Sequence, residues 1–454
     1  MISVYNTLGR RLEPLETRDP GKVGMYVCGP TVQSEPHLGH GRFAVVFDAI
    51  RRYLEWRGYD VTFVRNITDV EDKIIAAANE AGETMKERAE RMVAKFQATF
   101  DALGVREPDI EPRATDHIPE MIDLISRLID RGLAYPAANG DVYFRVRALE
   151  SEYGKLSGRN VDEMRAGTRI EINEAKDDPL DFALWKAAKP GEPSWDSPWA
   201  PGRPGWHIEC SAMAGKYLGS DFDIHGGGSD LIFPHHENEI AQSEGADGVR
   251  FSRYWLHNGM VNLDGEKMSK STGILVDLSE AIEAYGGIAV RLLYLRAHYR
   301  SPLEFSEALV SEANDALERI RRLLERAPRE SGVDPDEVVL DRFREAMDAD
   351  FGTPEAIGVL FDAVREANRL LDAAEPAAGV VAAVDEIVEV LGIRPSERRA
   401  SGGPSDYEVN ALVSARNEAR SARNFAEADR IRDELAGMGI VIEDGAGGTR
   451  WHRR

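Results

Sequence analysis

His37-Leu38-Gly39-His40 and Lys267-Met268-Ser269-Lys270-Ser271 are the two segments of this chain best suited to phosphate chemistry. The first lies between a strand-like stretch and a helical one. A helix start offers free N–H groups and a partial positive charge to an anion. Two imidazoles three residues apart add donors for phosphoryl oxygens, and Gly39 lets a flat base approach the backbone. Taken alone, the tetrapeptide reads equally as a helix start carrying two exposed imidazoles. The second segment follows Gly265 in a turn-like loop. Two Lys and two Ser in five residues make a cationic flap, suited to charge that develops during phosphate transfer. Its lysines are two of only 11 in the chain, which weakens the reading as a plain solvated loop.

A third constellation involves the only two cysteines, Cys28 and Cys210. The spacing is not that of a local Cys-x-x-Cys clip, so the fold would have to assemble the site. His235 and Glu239, in Pro-His-His-Glu-Asn-Glu, are four residues apart and share a helix face. Two thiolates, an imidazole and a carboxylate satisfy the ligand set of zinc. The competing reading is a pair of buried cysteines and a solvated, charged helix start. Gly226-Gly227-Gly228-Ser229-Asp230 would permit close backbone approach to an adenosine, although a Gly triplet is more often a turn.

These residues must be held by a scaffold, and its outline follows from periodicity. Val23, Met25 and Val27 alternate as in a strand, and Gly29-Pro30-Thr31 breaks it. Phe43, Phe47, Ile50 and Leu54 lie on one face of a helix over about 41–56. Val61, Phe63 and the run to Ile67 read as a second strand. Strand, Gly-containing loop, helix, strand opens a parallel α/β sheet. Helices are expected over 83–103 and 117–132. From about 135 to 199 short strands such as 141–147 alternate with Pro- and Gly-rich turns, which reads as an insertion. The α/β pattern resumes at Asp221. Beyond about 305 amphipathic helices follow, with Ala313, Leu317, Ile320 and Leu324 on one face and similar stretches at 338–349, 353–374 and 380–391. Gly402-Gly403-Pro404 reads as a linker.

The ordered motifs MYVCGPTVQSEPHLGHGR, RNITDVEDKI, GWHIECSAMA, DIHGGGSDLIFPHHENEIAQSE, GEKMSKS, RAHYRSPLEFS and GMGIVIEDGAGGTRW carry more information than any one of them. With them the chain resembles the class I aminoacyl-tRNA synthetases, and more specifically the cysteinyl-tRNA synthetases, along nearly its whole length. The resemblance implies an α/β protein. An open parallel Rossmann-type catalytic domain would span 1–118 and 201–250, with a connective insertion at 119–200. A connecting subdomain bearing KMSKS would follow at 251–304, an all-α helical bundle that braces tRNA at 305–402, and a small anticodon-recognition domain at 403–454.

It also implies roles. His37, Gly39, His40, Gly227, Asp230 and Lys270 would bind ATP, which brings Mg²⁺, with Lys267 assisting Lys270. Gly29, Thr31, Thr68, Trp206 and His225 would line the cysteine pocket. Trp206 also reads as ordinary core. All four family positions for one zinc ion match, namely Cys28, Cys210, His235 and Glu239, and the family pattern selects His235 over its neighbour His236. Serine and cysteine are similar in size, so shape separates them weakly. A soft thiolate–zinc contact would discriminate where a hydroxyl cannot compete, with no editing domain. Arg420, Asp429 and Asp444 align with family positions that contact anticodon bases, and each also reads as a solvated charge. The chain departs from the family at Thr272-Gly273-Ile274, where Leu-Gly-Asn is usual, at Ala289-Val290-Arg291 for Ala-Leu-Arg, and at Glu71, where Asp is common.

Composition bounds these readings. The 454 residues carry 56 Lys and Arg against 79 Asp and Glu, a net charge of −23. That argues against coating nucleic acid by bulk charge, though not against a local basic track. The 405–454 tail is nearly neutral, so the acidity lies elsewhere. No apolar run approaches a membrane span, and the first residues do not resemble a signal peptide. Two cysteines rule out a disulfide framework, so a cytoplasmic setting is expected. The expected partners are tRNA(Cys), L-cysteine and ATP, with no membrane, and the chain is expected to be a monomer. A cysteine ligase acting on an amino-sugar in mycothiol synthesis would share the front motifs but lack the tail. A noncatalytic RNA-binding relative would be expected to lose a flap Lys or a zinc ligand, and neither is lost here.

Overall fold

The computed structural model describes residues 1–161, 175–263, 266–267, 277–395, 406–438, 440–445 and 448–453. Seven elements build the catalytic core. They are strand β1 (Lys22–Val27), helix α1 (Leu38–Trp56), strand β2 (Asp60–Arg65), helix α2 (Trp206–Leu218), strand β3 (Phe222–Gly228), helix α3 (Glu237–Asp247) and strand β4 (Ser252–Asn258). The sheet order is β4-β3-β1-β2, all parallel. From β1 the chain crosses through α1 to β2 on one side. After the insertion it returns to β3 on the other. The crevice between the carboxyl ends of β1 and β3 is therefore the topological switch point, where open α/β sheets bind ligands.

Side-chain alternation explains how the sheet is covered. Val23, Met25 and Val27 pack with Phe47, Ile50 and Leu54 of α1, in a core that runs on into the helices after residue 305. Tyr26 points to the opposite face, where Ile208, Met213 and Trp185 form a second core. The insertion is an antiparallel sheet of Ala134–Pro136, Val142–Phe144, Phe182–Ala187 and Gly202–Pro204, paired in chain order.

Past β4, the strand Val261–Leu263 pairs with Glu266–Lys267 and with Leu303–Phe305. Helices Glu307–Arg326, Glu337–Asp348, Thr353–Asp372 and Ala378–Leu391 follow the expected stretches closely. The expected 402–404 linker lies outside the described residues. The C-terminal helices Asp406–Ser421 and Phe425–Gly437 and the hairpin Ile440–Gly445 with Gly448–Arg453 enclose their own small core of Val409, Val413, Ile431, Leu435 and Ile440. The helix Asp72–Ala81 was not expected. Glu71 caps it by accepting from the Lys73 N–H, a use for the carboxylate at this departure from the family pattern.

Candidate active site and metal centre

The carboxyl end of β1 delivers Cys28 directly into the switch-point crevice, and its N–H donates to the Gly226 carbonyl at 3.0 Å. The first turns of α2 supply Cys210, and those of α3, with the turn before it, supply His235 and Glu239. Ligand atoms of Cys28, Cys210, His235 and Glu239 all lie within 4.8 Å of one another, and all four residues are buried. A second set, Cys28, His225, His236 and Glu239, meets the same limit. His235 Nε2 lies 3.1 Å from Glu239 Oε1, against 3.9 Å for His236 Nε2. Cys28 Sγ is 3.3 Å from the same oxygen.

The imidazoles of both sets have outer partners. His235 Nδ1 meets His207 Nδ1 at 2.9 Å, which leaves Nε2 to face Glu239. His225 Nε2 meets Glu239 Oε2 at 2.8 Å, so this histidine orients the carboxylate. His236 Nδ1 meets His257 Nε2 at 2.8 Å, and His257 Nδ1 meets Thr7 Oγ1 at 2.8 Å. Outer partners of this kind fix ligand orientation in metal sites.

Electrostatics agree with the chemistry of the donors. Burial pushes the Cys28 thiol well up, with Cys210 and Glu239 adding to it. Burial likewise raises Cys210. Burial drives His235 well down, so its imidazole is neutral. Neutral imidazole beside thiols that need a nearby cation to ionise is a donor set that fits Zn²⁺.

Beside this centre, Gly29–Val32 is zipped to Asn66–Thr68. Thr31 and Thr68 form a parallel bridge. The Val32 N–H donates to the Thr68 carbonyl and the Thr68 N–H to the Pro30 carbonyl, each at 3.2 Å. A Cβ on Gly29 would fall 1.6 Å from the Asn66 carbonyl oxygen, so no side chain fits there. Trp206, half-buried, stacks on His235 with ring centroids 4.2 Å apart, beside the four-donor cluster. Gly29 follows Cys28 directly, Thr31 and Thr68 face each other across the bridge, Trp206 covers His235, and His225 lies behind the Glu239 carboxylate.

The His37–His40 segment is a helix cap made by imidazoles. The Gly39 N–H donates to His37 Nδ1 at 3.2 Å, and the His37 N–H donates to His40 Nδ1 at 3.1 Å. The rings stack at 3.7 Å. Since each Nδ1 accepts, each neutral ring carries its proton on Nε2, and both become Nε2–H donors. Arg42 of α1 donates to the Met260 carbonyl at 2.9 Å. The Leu278 N–H donates to the Pro36 carbonyl at 3.0 Å, and Asp277 bridges His37. The chain thus enters and leaves the KMSKS stretch beside the start of α1. Lys267 pairs with Asn262 through the backbone; Lys270 lies outside the described residues. Asp230 is exposed in the turn after β3. A Cβ on Gly227 would approach His236 to 2.8 Å, so packing already requires this glycine.

In the C-terminal unit, Arg420 and Asp429 are exposed on their two helices. Asp444 pairs with Thr449 in the hairpin. Sequence reasoning missed Asn66, His207, Glu209 and His257. Glu209 was detectable as an acid between Ile208 and Cys210 at the start of α2.

A family model described as the tRNA synthetases class I (C) catalytic domain matches residues 14–315. A DALR domain model matches 342–394, and a cysteinyl-tRNA ligase anticodon binding domain model matches 406–451. The cysteine–tRNA ligase of Ectopseudomonas mendocina (strain ymp) is 52% identical over 457 residues, covering 99% of both chains. That of Chromobacterium violaceum is 51% identical over 462 residues, covering 100% of both. In fold, the chain resembles Mycobacterium tuberculosis methionyl-tRNA synthetase in complex with methionyl-adenylate, with TM-score 0.60 and 19% identity, over 82% of this chain and 90% of that one.

Proposed function

The chain belongs to the cysteine–tRNA ligase family of class I aminoacyl-tRNA synthetases and is an ATP-dependent ligase; we propose that it selects cysteine at the Cys28–Cys210–His235–Glu239 centre. The observation that carries this is the convergence of four buried donors at the switch point of the parallel sheet, next to the imidazole-capped helix start. In the first step the cysteine carboxylate attacks the α-phosphorus of ATP, and pyrophosphate leaves. In the second, a terminal ribose hydroxyl of tRNA(Cys) attacks the activated carbonyl, and AMP leaves.

His37 and His40 hold phosphoryl oxygens through their Nε2–H donors. Lys270, with Lys267, closes over the phosphates and offsets charge on the leaving group. Mg²⁺ accompanies ATP. When bound, one Zn²⁺ supplies a soft Lewis acid that prefers sulfur to a hydroxyl oxygen. Gly29, Thr31, Thr68 and Trp206 hold the amino acid beside it. His225 keeps the Glu239 carboxylate oriented. The 406–451 module takes the anticodon, with Arg420, Asp429 and Asp444 as base contacts. Among the described residues no helix is long and apolar enough to cross a membrane. The protein acts in the cytoplasm as a monomer.

The test is transfer of radiolabelled cysteine to purified tRNA(Cys), with serine and an amino-sugar acceptor in parallel and zinc content measured on the same preparation. Charging by cysteine alone, with one zinc per chain, is the expected result. Amide formation on the sugar without tRNA charging would refute the assignment of the C-terminal half.

A further inference from the structure

Glu209 lies in the first turn of α2, one residue before Cys210, and is fully buried. Its Oε2 accepts the Thr68 hydroxyl proton at 2.9 Å. Its Oε1 has no hydrogen-bond partner among the described residues. Thr68 Oγ1 accepts from Asn66 Nδ2 at 3.3 Å, and Asn66 Oδ1 accepts the Gly29 N–H at 2.9 Å. One connected set thus runs from the Gly29 backbone through Asn66 and Thr68 to Glu209.

A hydroxyl has one proton and two lone pairs. Thr68 spends its proton on Glu209 and one lone pair on Asn66. What remains is a lone pair, so toward the pocket Thr68 can only accept. Cysteine presents a thiol, a carboxylate and an ammonium. The carboxylate only accepts, and the thiol is matched by the metal donors. The ammonium is the group that needs acceptors. The nearby Arg203 is committed to Asp72 and Glu192.

We infer that Glu209 is a positioning residue for the amino-acid pocket: by holding the Thr68 proton, it makes Thr68 an acceptor for the substrate α-ammonium. This rests on the reading that Gly29, Thr31 and Thr68 line that pocket. A free Thr68 proton would instead donate to the carboxylate and weaken the distinction between the two ends of the amino acid.

The test uses the full-length, zinc-loaded protein and three ligands that share a thiol. These are L-cysteine, 3-mercaptopropionate, which lacks the ammonium, and cysteamine, which lacks the carboxylate. In Glu209→Met, which has no oxygen to accept the Thr68 proton, the KM for cysteine in ATP–pyrophosphate exchange should rise about tenfold or more, the scale of a hydrogen bond to a charged group. The inhibition constant of cysteamine should rise with it, while that of 3-mercaptopropionate and the rate at saturating cysteine change less than about threefold. Zinc should stay at one per chain.

Thr68→Val should show the same selective loss, which keeps the test decisive if Glu209→Met does not fold. Where both fold, the double variant should be no worse than Thr68→Val alone, because Glu209 acts through Thr68. Parallel losses for all three ligands, loss of zinc, or additive effects in the double variant would overturn the inference. If the two analogues do not compete with cysteine on the unmodified protein, the pocket assignment itself fails, and the inference with it.

Discussion

A thiol shut away from water resists ionisation, and Cys28 and Cys210 are both buried beside the Glu239 carboxylate. A bound dication reverses that balance, so metal affinity and the state of the thiols are linked. Cys210→Ser should therefore lose zinc by more than the roughly 10–100-fold typical of an outer partner, as read by metal analysis after dialysis, and should lose cysteine activation with it. Activation that survives without zinc would end the metal assignment. Lys270→Ala should behave in the opposite way. It should keep zinc yet slow single-turnover adenylate formation by about 10²-fold or more, on the scale of removing one charge-stabilising donor. A normal rate would remove Lys270 from its role. Residues of this kind were legible because their types are scarce: two cysteines and 11 lysines leave few ways to build the chemistry. Asn66, His207 and His257 were not legible. Each is an ordinary polar residue whose meaning lies in what it touches, a His207–His235 contact or a His257–Thr7 contact, across distant parts of the chain.

At the scale of elements, α1 was legible from the spacing of Phe43, Phe47, Ile50 and Leu54, and it starts three residues earlier than the apolar pattern indicates. The difference is the cap: imidazoles replace the usual Ser, Thr, Asp or Asn, and apolar periodicity carries no signal for that. The helix Asp72–Ala81 escaped for a related reason, since it is short and only Ile74, Ile75 and Ala78 are buried. The cap gives His37 two separable jobs. Asn in its place can accept the Gly39 N–H but cannot supply an Nε2–H donor to a phosphate. His37→Asn should hold stability within about 1 kcal/mol, because Asn is among the best N-caps, while adenylate formation falls by about 10²-fold. His37→Ala should lose the cap as well, at a further cost of about 0.5–2 kcal/mol. Denaturant melts on both variants separate the jobs. An equal rate loss without any stability difference would mean that the imidazole cap contributes nothing to the helix.

Across the whole molecule, the buried pair of Asp48 and Arg291, with Arg291 also bonded to the Leu391 carbonyl, is one of the links between the catalytic core and the helical region. Asp48 of α1 accepts from Arg291 Nη2 at 2.6 Å and from Arg52 Nε at 2.7 Å. Arg291 also donates to the Leu391 carbonyl at 2.9 Å and to the Gly104 carbonyl at 3.1 Å, so one guanidinium ties α1, the loop after residue 102 and the end of helix Ala378–Leu391. The sequence marked Ala289-Val290-Arg291 only as a departure from the family pattern. The structure shows that the arginine, not the residue before it, makes the junction. Burial alone would push the Asp48 carboxyl up, but Arg291 and Arg52 more than reverse this and hold it below its ordinary value of 3.8. A depressed carboxylate contributes stability that is present above the unfolded-state value and is lost as pH falls through the folded one. The contribution of Asp48 should thus be complete above about pH 4 and decline below it. Asp48→Asn leaves Arg291 buried without its counter-charge, and should cost about 3–5 kcal/mol at neutral pH. Other paired carboxylates, Glu318 among them, lose stability in the same acidic window, so each melt alone is ambiguous and the difference between them isolates Asp48. That difference should be largest at neutral pH and shrink as both proteins are taken below pH 4. A constant difference across the window would mean that Asp48 holds the junction by shape and not by charge.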